Sequence, residues 1–138
     1  MAGYSGTPLA KKLGIKDGAR VALVGAPTGF AKTLDLPSGV ELRSDARARL
    51  DVVVFFVKRR ADLTKRFPAL ARALESDGGL WIAWPKKASG VATDLTENVV
   101  REIGLDAGLV DNKVAAIDDT WSGLRFVYRV ADRGKRSR

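Results

Sequence analysis

The stretch RVALVGAPTGF, residues 20–30, decides the fold class of this chain. Its apolar run, residues 21–24, ends at Gly25, and a second glycine follows at Gly29. A buried strand that runs into a glycine turn is how many nucleotide-binding α/β folds begin. The stretch therefore predicts the first strand of an α/β sheet, with a turn at the carboxyl end of that strand.

Two further apolar runs predict central strands of the same sheet. The run LDVVVFFV, residues 50–57, is apolar on both faces, which is typical of a parallel strand covered on both sides. The run LWIAW, residues 80–84, is the next strong strand; a turn is predicted just before it, around Gly78, and Pro85 stops it. A weaker strand is predicted near residues 40–43, but only residues 44–50 separate it from the strong strand that follows. A parallel crossover usually needs a dozen or more residues, so the weak strand either pairs unusually or lies outside the sheet.

Helices are predicted between these strands. Residues 28–36 favour a short helix, and residues 61–75 carry apolar side chains at helical spacing. Asp94, followed three residues later by Glu97, fits the start of a third helix. Gly104 fits the left-handed residue that often ends a helix. Strands and helices thus alternate through most of the chain.

The last part of the chain predicts an antiparallel hairpin. KVAAID, residues 113–118, is a short strand, and LRFVYRV, residues 124–130, alternates between an apolar and a wetter face. The whole order predicts a single α/β domain with a Rossmann-like, doubly wound, mostly parallel sheet and a C-terminal antiparallel hairpin. We assign residues 1–131 to this domain and residues 132–138 to a basic, flexible tail.

The composition removes several kinds of chemistry. The 138 residues include no cysteine and no histidine, which excludes disulfides, thiolate nucleophiles and the commonest general base and transition-metal ligand. We therefore assign no catalytic residue and no metal site, and we expect a protein without catalytic activity. No apolar run is long enough for a membrane helix and the N-terminus has no signal pattern, so we expect a cytoplasmic protein that binds no membrane.

Several motifs carry a resemblance to known families. KLGIKDGARVALVGAPTG, residues 12–29, resembles the first strand and turn of class I S-adenosylmethionine-dependent methyltransferases, and DGGLWIAWPKK, residues 77–87, resembles their fifth strand. A closer resemblance, from about Tyr4 to Val130, is to a family of small bacterial proteins, common in actinobacteria, that carries only an unknown-function label. This resemblance implies a bacterial cytoplasmic protein with a minimal, Rossmann-like methyltransferase fold, and it implies no activity.

The opening stretch departs from the methyltransferase pattern that it resembles. Those enzymes usually carry an acidic residue in the first strand and a glycine in the middle of the turn. Residues 21–24 contain no acid, and the middle glycine is replaced by Pro27, which has no N–H and puts a ring where close approach is needed. Only Glu41 and Asp45 are candidates for the acid that binds the ribose of the cofactor. We therefore expect a degenerate loop that binds no cofactor; a methyltransferase with an atypical cofactor loop is an alternative.

The strongest candidate site is a groove between two loops at the carboxyl ends of the strands. Basic side chains and helix N-termini at this edge suit a phosphate or a carboxylate. The candidate residues are Gly25, Ala26, Pro27, Gly29, Lys86, Lys87, Ser89 and Asp94. The leading hypothesis is a non-catalytic binding or regulatory module whose partner is a small anion or an acidic macromolecule.

Two other hypotheses remain open. The net charge of +8 and the basic tail favour a nucleic-acid-associated protein. Its candidate contacts are Arg125, Arg129, Arg133, Lys135, Arg136 and Arg138. A third hypothesis is a scaffold that acts through an exposed sheet edge or through the predicted hairpin loop that carries Trp121. The adjacent Asp118 and Asp119 are in a hairpin loop, where carboxylates more often accept backbone N–H groups than bind a metal.

Overall fold

The computed structural model describes residues 7–47 and 49–134, and its centre is one six-stranded sheet in the order β2-β1-β3-β4-β6-β5. The strands are β1 (Arg20–Val24), β2 (Glu41–Arg43), β3 (Leu50–Phe56), β4 (Leu74–Pro85), β5 (Leu109–Ala116) and β6 (Trp121–Tyr128). The first four strands pair in parallel, and β6 is antiparallel to both β4 and β5. The predicted fold class is confirmed: the chain is a single α/β domain with a mostly parallel sheet and a C-terminal hairpin.

The helices are α1 (Leu9–Lys12), α2 (Arg60–Ala73), α3 (Glu97–Asp106) and α4 (Val130–Arg133), with 3-10 turns at Phe30–Thr33 and Lys87–Ser89. The prediction of a helix over residues 28–36 was wrong in kind, because only the 3-10 turn forms there. Gly29 is left-handed with φ of +84° and Leu34 is extended, so too few residues with helical angles lie between them for an α-helix. The boundary predicted between residues 131 and 132 lies inside the short helix α4.

The weak strand is part of the sheet. Strand β2 pairs in parallel with β1, with Glu41 opposite Arg20 and Arg43 opposite Ala22, and it forms one edge of the sheet. The chain returns to β3, on the other side of β1, through the short link after Arg43. That link can be short because β2 has only three residues and ends opposite the middle of β1, so the chain retraces only about three residues of sheet to reach the start of β3.

Two glycine predictions change in the structure. The turn predicted around Gly78 lies within β4, where Leu74 pairs with Leu50 and Gly79 pairs with Val52, so the intervening residues bulge out of the ladder. Gly104 does not end a helix. It lies inside α3, where an added Cβ would overlap the Phe126 ring, so glycine is required for the close packing. The left-handed glycine after this helix is Gly108, with φ of +96°.

The sheet separates two hydrophobic cores. One core packs β-strand side chains against α2 and α3 and includes Phe67 and Phe126, whose rings meet edge to face at 5.2 Å. The other lies on the opposite face and includes Leu13 and Trp81, both fully buried. Burial on both faces explains why β1 and β3 are apolar along almost their whole length.

Candidate functional site

A groove opens between the carboxyl ends of β1 and β3. The chain leaves β1 towards β2 on one side and leaves β3 towards β4 on the other, so these two neighbouring strands form the topological switch point of the sheet. The groove there, which we call the switch-point groove, has a volume of about 610 Å³. Gly25 and Pro27, from the turn after β1, line it together with the end of β3 and the first turns of α2.

Four cations line the switch-point groove. Lys58 and Arg59 follow β3, and Lys65 and Arg66 project from α2 beside Asp62, the single acidic side chain of the lining. All five side chains are exposed. Within the described residues, none of the four cations forms an ion pair with a carboxylate. Their charges are therefore available to an incoming anion.

A series of three aromatic side chains reaches the groove, which two of them, Phe56 and Trp121, line. Phe30, Phe56 and Trp121 are buried and meet edge to face, with ring centroids 4.8 Å and 5.1 Å apart. The Arg66 guanidinium lies 5.2 Å from the centre of the Phe55 ring, a cation–π arrangement that favours this position of the charge. Trp121, which the sequence placed in a loop, is the first residue of β6 and lines the groove.

A second groove lies on the other side of the same turn. This β1–β2 groove has a volume of about 520 Å³, and Leu23, Phe30 and Leu42 contribute to its apolar lining. It shares Gly25 and Pro27 with the switch-point groove, so only the turn separates the two. Among the residues that the structure describes, none of those lining this groove is acidic.

The two acids that the sequence offered for ribose binding are engaged with arginines. Glu41 accepts a hydrogen bond from Arg43 at 2.6 Å, and Asp45 accepts one from Arg47 at 2.8 Å. Each hydrogen bond lowers the pKa of its carboxyl group below the usual value. Neither carboxylate lines the β1–β2 groove, where Arg43 is the charged residue instead.

The structure separates the predicted groove residues. Gly25 and Pro27 line both grooves, and Ala26 and Gly29 line only the β1–β2 groove. Lys86, Lys87 and Ser89 line neither groove. Ser89 Oγ donates a hydrogen bond to the carbonyl of Lys86 at 2.7 Å, and the Lys86 N–H donates to the carbonyl of Thr120 at 2.7 Å, so the loop is closed on itself and on the hairpin.

Asp94 caps a different helix from the one expected. Its Oδ1 accepts a hydrogen bond from the backbone N–H of Arg60, the first residue of α2, at 2.7 Å, whereas the N-cap of α3 is Thr96. The neighbouring Thr93 hydroxyl donates to the carbonyl of Lys58 at 2.6 Å. Thr93 and Asp94 therefore fasten their loop to the basic segment that lines the switch-point groove.

The residues of the nucleic-acid hypothesis are only partly brought together. Arg125 is half-buried and donates to Asn112 Oδ1 at 3.3 Å, and burial, with a smaller contribution from the charge of Arg133, lowers its pKa. Arg129 has left strand β6 and precedes α4, so it does not extend the face of Arg125. Arg133 Nε donates to the carbonyl of Tyr128 at 3.1 Å. Lys135, Arg136 and Arg138 lie outside the described residues.

The sequence analysis missed the cations that line the switch-point groove. They belong to the run KRRADLTKR, residues 58–66, which follows β3 directly and holds five cations and one acid. The available signal was this density of charge immediately after the carboxyl end of a central strand, where open α/β sheets bind ligands. The helical spacing of the apolar residues in this segment predicted core packing and gave no indication of its charged face.

The turn after β1, the switch-point groove and the antiparallel last strand define a protein with the fold of class I methyltransferases. Similar structures include a SAM-dependent methyltransferase from Aquifex aeolicus (16% identity, TM-score 0.63, 86% of each chain covered). Another is magnesium protoporphyrin IX methyltransferase from Synechocystis PCC 6803 with bound SAH (12% identity, TM-score 0.62, 87% of this chain and 78% of that chain). A third is the fibrillarin pre-rRNA processing protein of Methanococcus jannaschii (13% identity, TM-score 0.59, 88% and 69%). At these identities the likeness establishes the fold alone.

The family of the chain is also established. The chain belongs to the family described as protein of unknown function (DUF3052), whose model matches residues 10–130. No curated protein matches its sequence. Across residues 7–47 and 49–134, no helix combines the length and the apolar character that crossing a bilayer requires.

Proposed function

We propose that this protein is a non-catalytic binding module that holds a small anion in the switch-point groove. The observation that carries the proposal is the set of four cations, free of ion pairs within the described residues, that line a groove with a single acidic side chain. A concave site with low-dielectric walls focuses the field of such a cluster on the ligand. Phosphate groups are the anions that several converging Lys and Arg side chains bind best.

The lining of the groove favours binding over catalysis. The chain has no histidine or cysteine, and Asp62 is the only carboxylate among the lining residues. General acid–base catalysis usually requires a group that titrates near neutral pH, and a pair of carboxylates or a carboxylate beside a nucleophile is the common substitute for histidine. The switch-point groove supplies charge and shape, which are sufficient for recognition of an anion.

The test compares two double variants that remove the same charge from different places. Lys58→Ala/Lys65→Ala removes two cations from the groove, and Lys86→Ala/Lys87→Ala removes two from the loop that lines neither groove. Isothermal titration calorimetry with tripolyphosphate at low salt should show binding to the unchanged protein and to the loop variant. The groove variant should bind about tenfold or more weakly, because each lost contact to a charged group is worth roughly 1.5–3 kcal/mol.

Three outcomes would overturn the proposal. The first is that the unchanged protein fails to bind tripolyphosphate. The second is that both double variants lose affinity equally, which would indicate a general effect of charge. The third is loss of affinity only in the loop variant, which would move the anion site to residues 85–94. Circular dichroism of each variant should match that of the unchanged protein, which checks that the fold is retained.

The methyltransferase alternative is favoured by the fold of the neighbours and opposed by the details of the cofactor side. Pro27 occupies the middle of the turn, β1 carries no acid, and the acids near β2 are engaged with arginines. Titration of the same protein with S-adenosylmethionine distinguishes the two proposals. Saturable binding together with methyl transfer to any acceptor would replace the binding-module proposal with the enzyme.

A further inference from the structure

The two grooves beside the turn after β1 differ in chemistry. The switch-point groove is lined by cations, whereas the β1–β2 groove has a mostly apolar lining with Arg43 at its edge. Gly25 and Pro27 belong to both, so the wall between the grooves is the turn itself. A ligand with two chemically different ends can therefore occupy both sides of one turn.

We infer that the ligand is a nucleoside di- or triphosphate that lies across this turn, with its phosphates in the switch-point groove and its base in the β1–β2 groove. The inference rests on the proposed function, because it takes the anion site as given and adds the second half of the ligand. Each groove, at about 610 Å³ and 520 Å³, is larger than an inorganic anion fills and is of the size that organic ligands occupy.

Leu42 is the first observation that points to an apolar group in the second groove. It is 38% exposed, lies on the edge strand β2 and lines the β1–β2 groove. Among the described residues, the other exposed large apolar side chains are Leu105, Val114 and Val130, and none of them lines either groove. An apolar group bound between Leu42 and the turn would cover this surface.

The aromatic series is the second observation. Phe30 lines the β1–β2 groove, Phe56 and Trp121 line the switch-point groove, and the three rings meet edge to face. The series therefore reaches from the apolar groove to the cationic groove. A planar ring system next to Phe30 and a chain of phosphates next to Lys58 match the chemistry of the two grooves.

Arg43 supplies a hydrogen-bond donor to the part of the ligand that lies between the base and the outer phosphates. It stands at the carboxyl end of β2 and lines the β1–β2 groove, where its guanidinium is already oriented by Glu41 at 2.6 Å. An arginine donates hydrogen bonds and accepts none, so it suits a ribose hydroxyl oxygen or a phosphate oxygen. Because the guanidinium is planar, its hydrogen bond to Glu41 also fixes the directions of the remaining N–H groups, which can donate to the ligand.

The experiment compares three probes on the full chain by isothermal titration calorimetry: ATP, tripolyphosphate and adenosine. The unchanged protein should bind ATP about tenfold or more tightly than tripolyphosphate, since burying one flat ring system adds over 1 kcal/mol. Adenosine should bind more weakly than either polyphosphate, because it has no phosphate for the switch-point groove. Leu42→Gln should lose most of the advantage of ATP and leave tripolyphosphate within about twofold, whereas Lys58→Ala/Lys65→Ala should weaken both polyphosphates.

Leu105→Gln is the matched control, because Leu105 is 40% exposed and lines neither groove. It should bind all probes as the unchanged protein does. If Leu42→Gln fails to fold, Ala31→Gln serves instead, since this exposed position lines the β1–β2 groove and the longer side chain fills it. Retention of the full ATP advantage in the folded groove variant would overturn the inference.

The failure of this inference is distinguishable from the failure of the proposed function. Equal affinities for ATP and tripolyphosphate in the unchanged protein would remove the base-binding half and leave the anion site intact. Absence of tripolyphosphate binding would remove both. Tighter binding of S-adenosylmethionine than of ATP would replace the inferred ligand with the methyl donor.

Discussion

At the scale of the residue, Gly25 allows the turn after β1 to lie close to the end of β3. Its φ is +69°, and an added Cβ would lie 3.0 Å from the Phe56 carbonyl oxygen, so the turn is pressed against the end of β3. Gly29 has a similar φ of +84° but has open space around it. Both positions therefore require a left-handed backbone, but only Gly25 is also required for the close approach of the turn to β3.

We expect Gly25→Ala to destabilise the protein more than Gly29→Ala does. Both variants pay roughly 1–2 kcal/mol for a left-handed alanine, and only Gly25→Ala must also displace a backbone carbonyl. Urea unfolding followed by tryptophan fluorescence measures the difference in the free energy of unfolding. Equal losses in the two variants would show that the turn is not held against β3.

The residue scale also shows where sequence reasoning about the site reached its limit. Gly25 and Pro27 could be placed at the carboxyl edge of the sheet from the sequence, because a turn after a parallel strand must lie there, and both line a groove. The basic side chains Lys86 and Lys87 were expected on the opposite wall, but the groove cations come from the residues after β3. Which of the two basic segments faces the groove depends on the direction in which the backbone leaves β3 and β4. The local composition does not predict this direction.

At the scale of the element, α2 depends on a residue from a distant loop. The side chain of its own N-cap, Arg59, makes no capping hydrogen bond, and Asp94 supplies an acceptor to the Arg60 N–H across 34 residues of sequence. A carboxylate at a helix N-terminus is also favoured by the helix dipole. The cap therefore joins the basic segment of the groove to the loop that follows β4.

We expect Asp94→Ala to lower the free energy of unfolding by about 0.5–2 kcal/mol, the usual cost of a lost N-cap. Asp94→Asn should retain much of the stability because its side-chain oxygen can still accept the hydrogen bond. Hydrogen exchange at the first turn of α2 should increase in the alanine variant, whereas exchange in α3 should not. Unchanged exchange in α2 would contradict the assignment of this cap.

At the scale of the whole molecule, the sheet places the N-terminal segment on the face opposite α2 and α3. The Trp81 indole N–H donates to the carbonyl of Leu13 at 3.0 Å, and both residues are fully buried. This hydrogen bond spans 68 residues of sequence and fastens the segment after α1 to the central strand β4. Its removal leaves a buried carbonyl without its partner.

We expect Trp81→Phe to destabilise the protein more than Trp84→Phe. Both indoles lie in β4 and are buried, but in opposite cores, and the Trp81 variant additionally orphans the Leu13 carbonyl, at a cost of about 1–3 kcal/mol. Midpoints of urea denaturation, with unchanged slopes, measure the difference. Similar losses for the two variants would show that the hydrogen bond contributes little beyond packing.

The sequence alone determined the class of fold, the order of its strong strands and the absence of histidine and cysteine chemistry. Apolar runs and breakers act over a few neighbouring residues, so the strands β1, β3 and β4 are legible without any knowledge of their partners. Only the tertiary structure decided that the short β2 joins the sheet, that Asp94 caps α2, and that the cations after β3 line the groove. These features depend on contacts between residues far apart in the chain, which form only when the sheet brings the loops together.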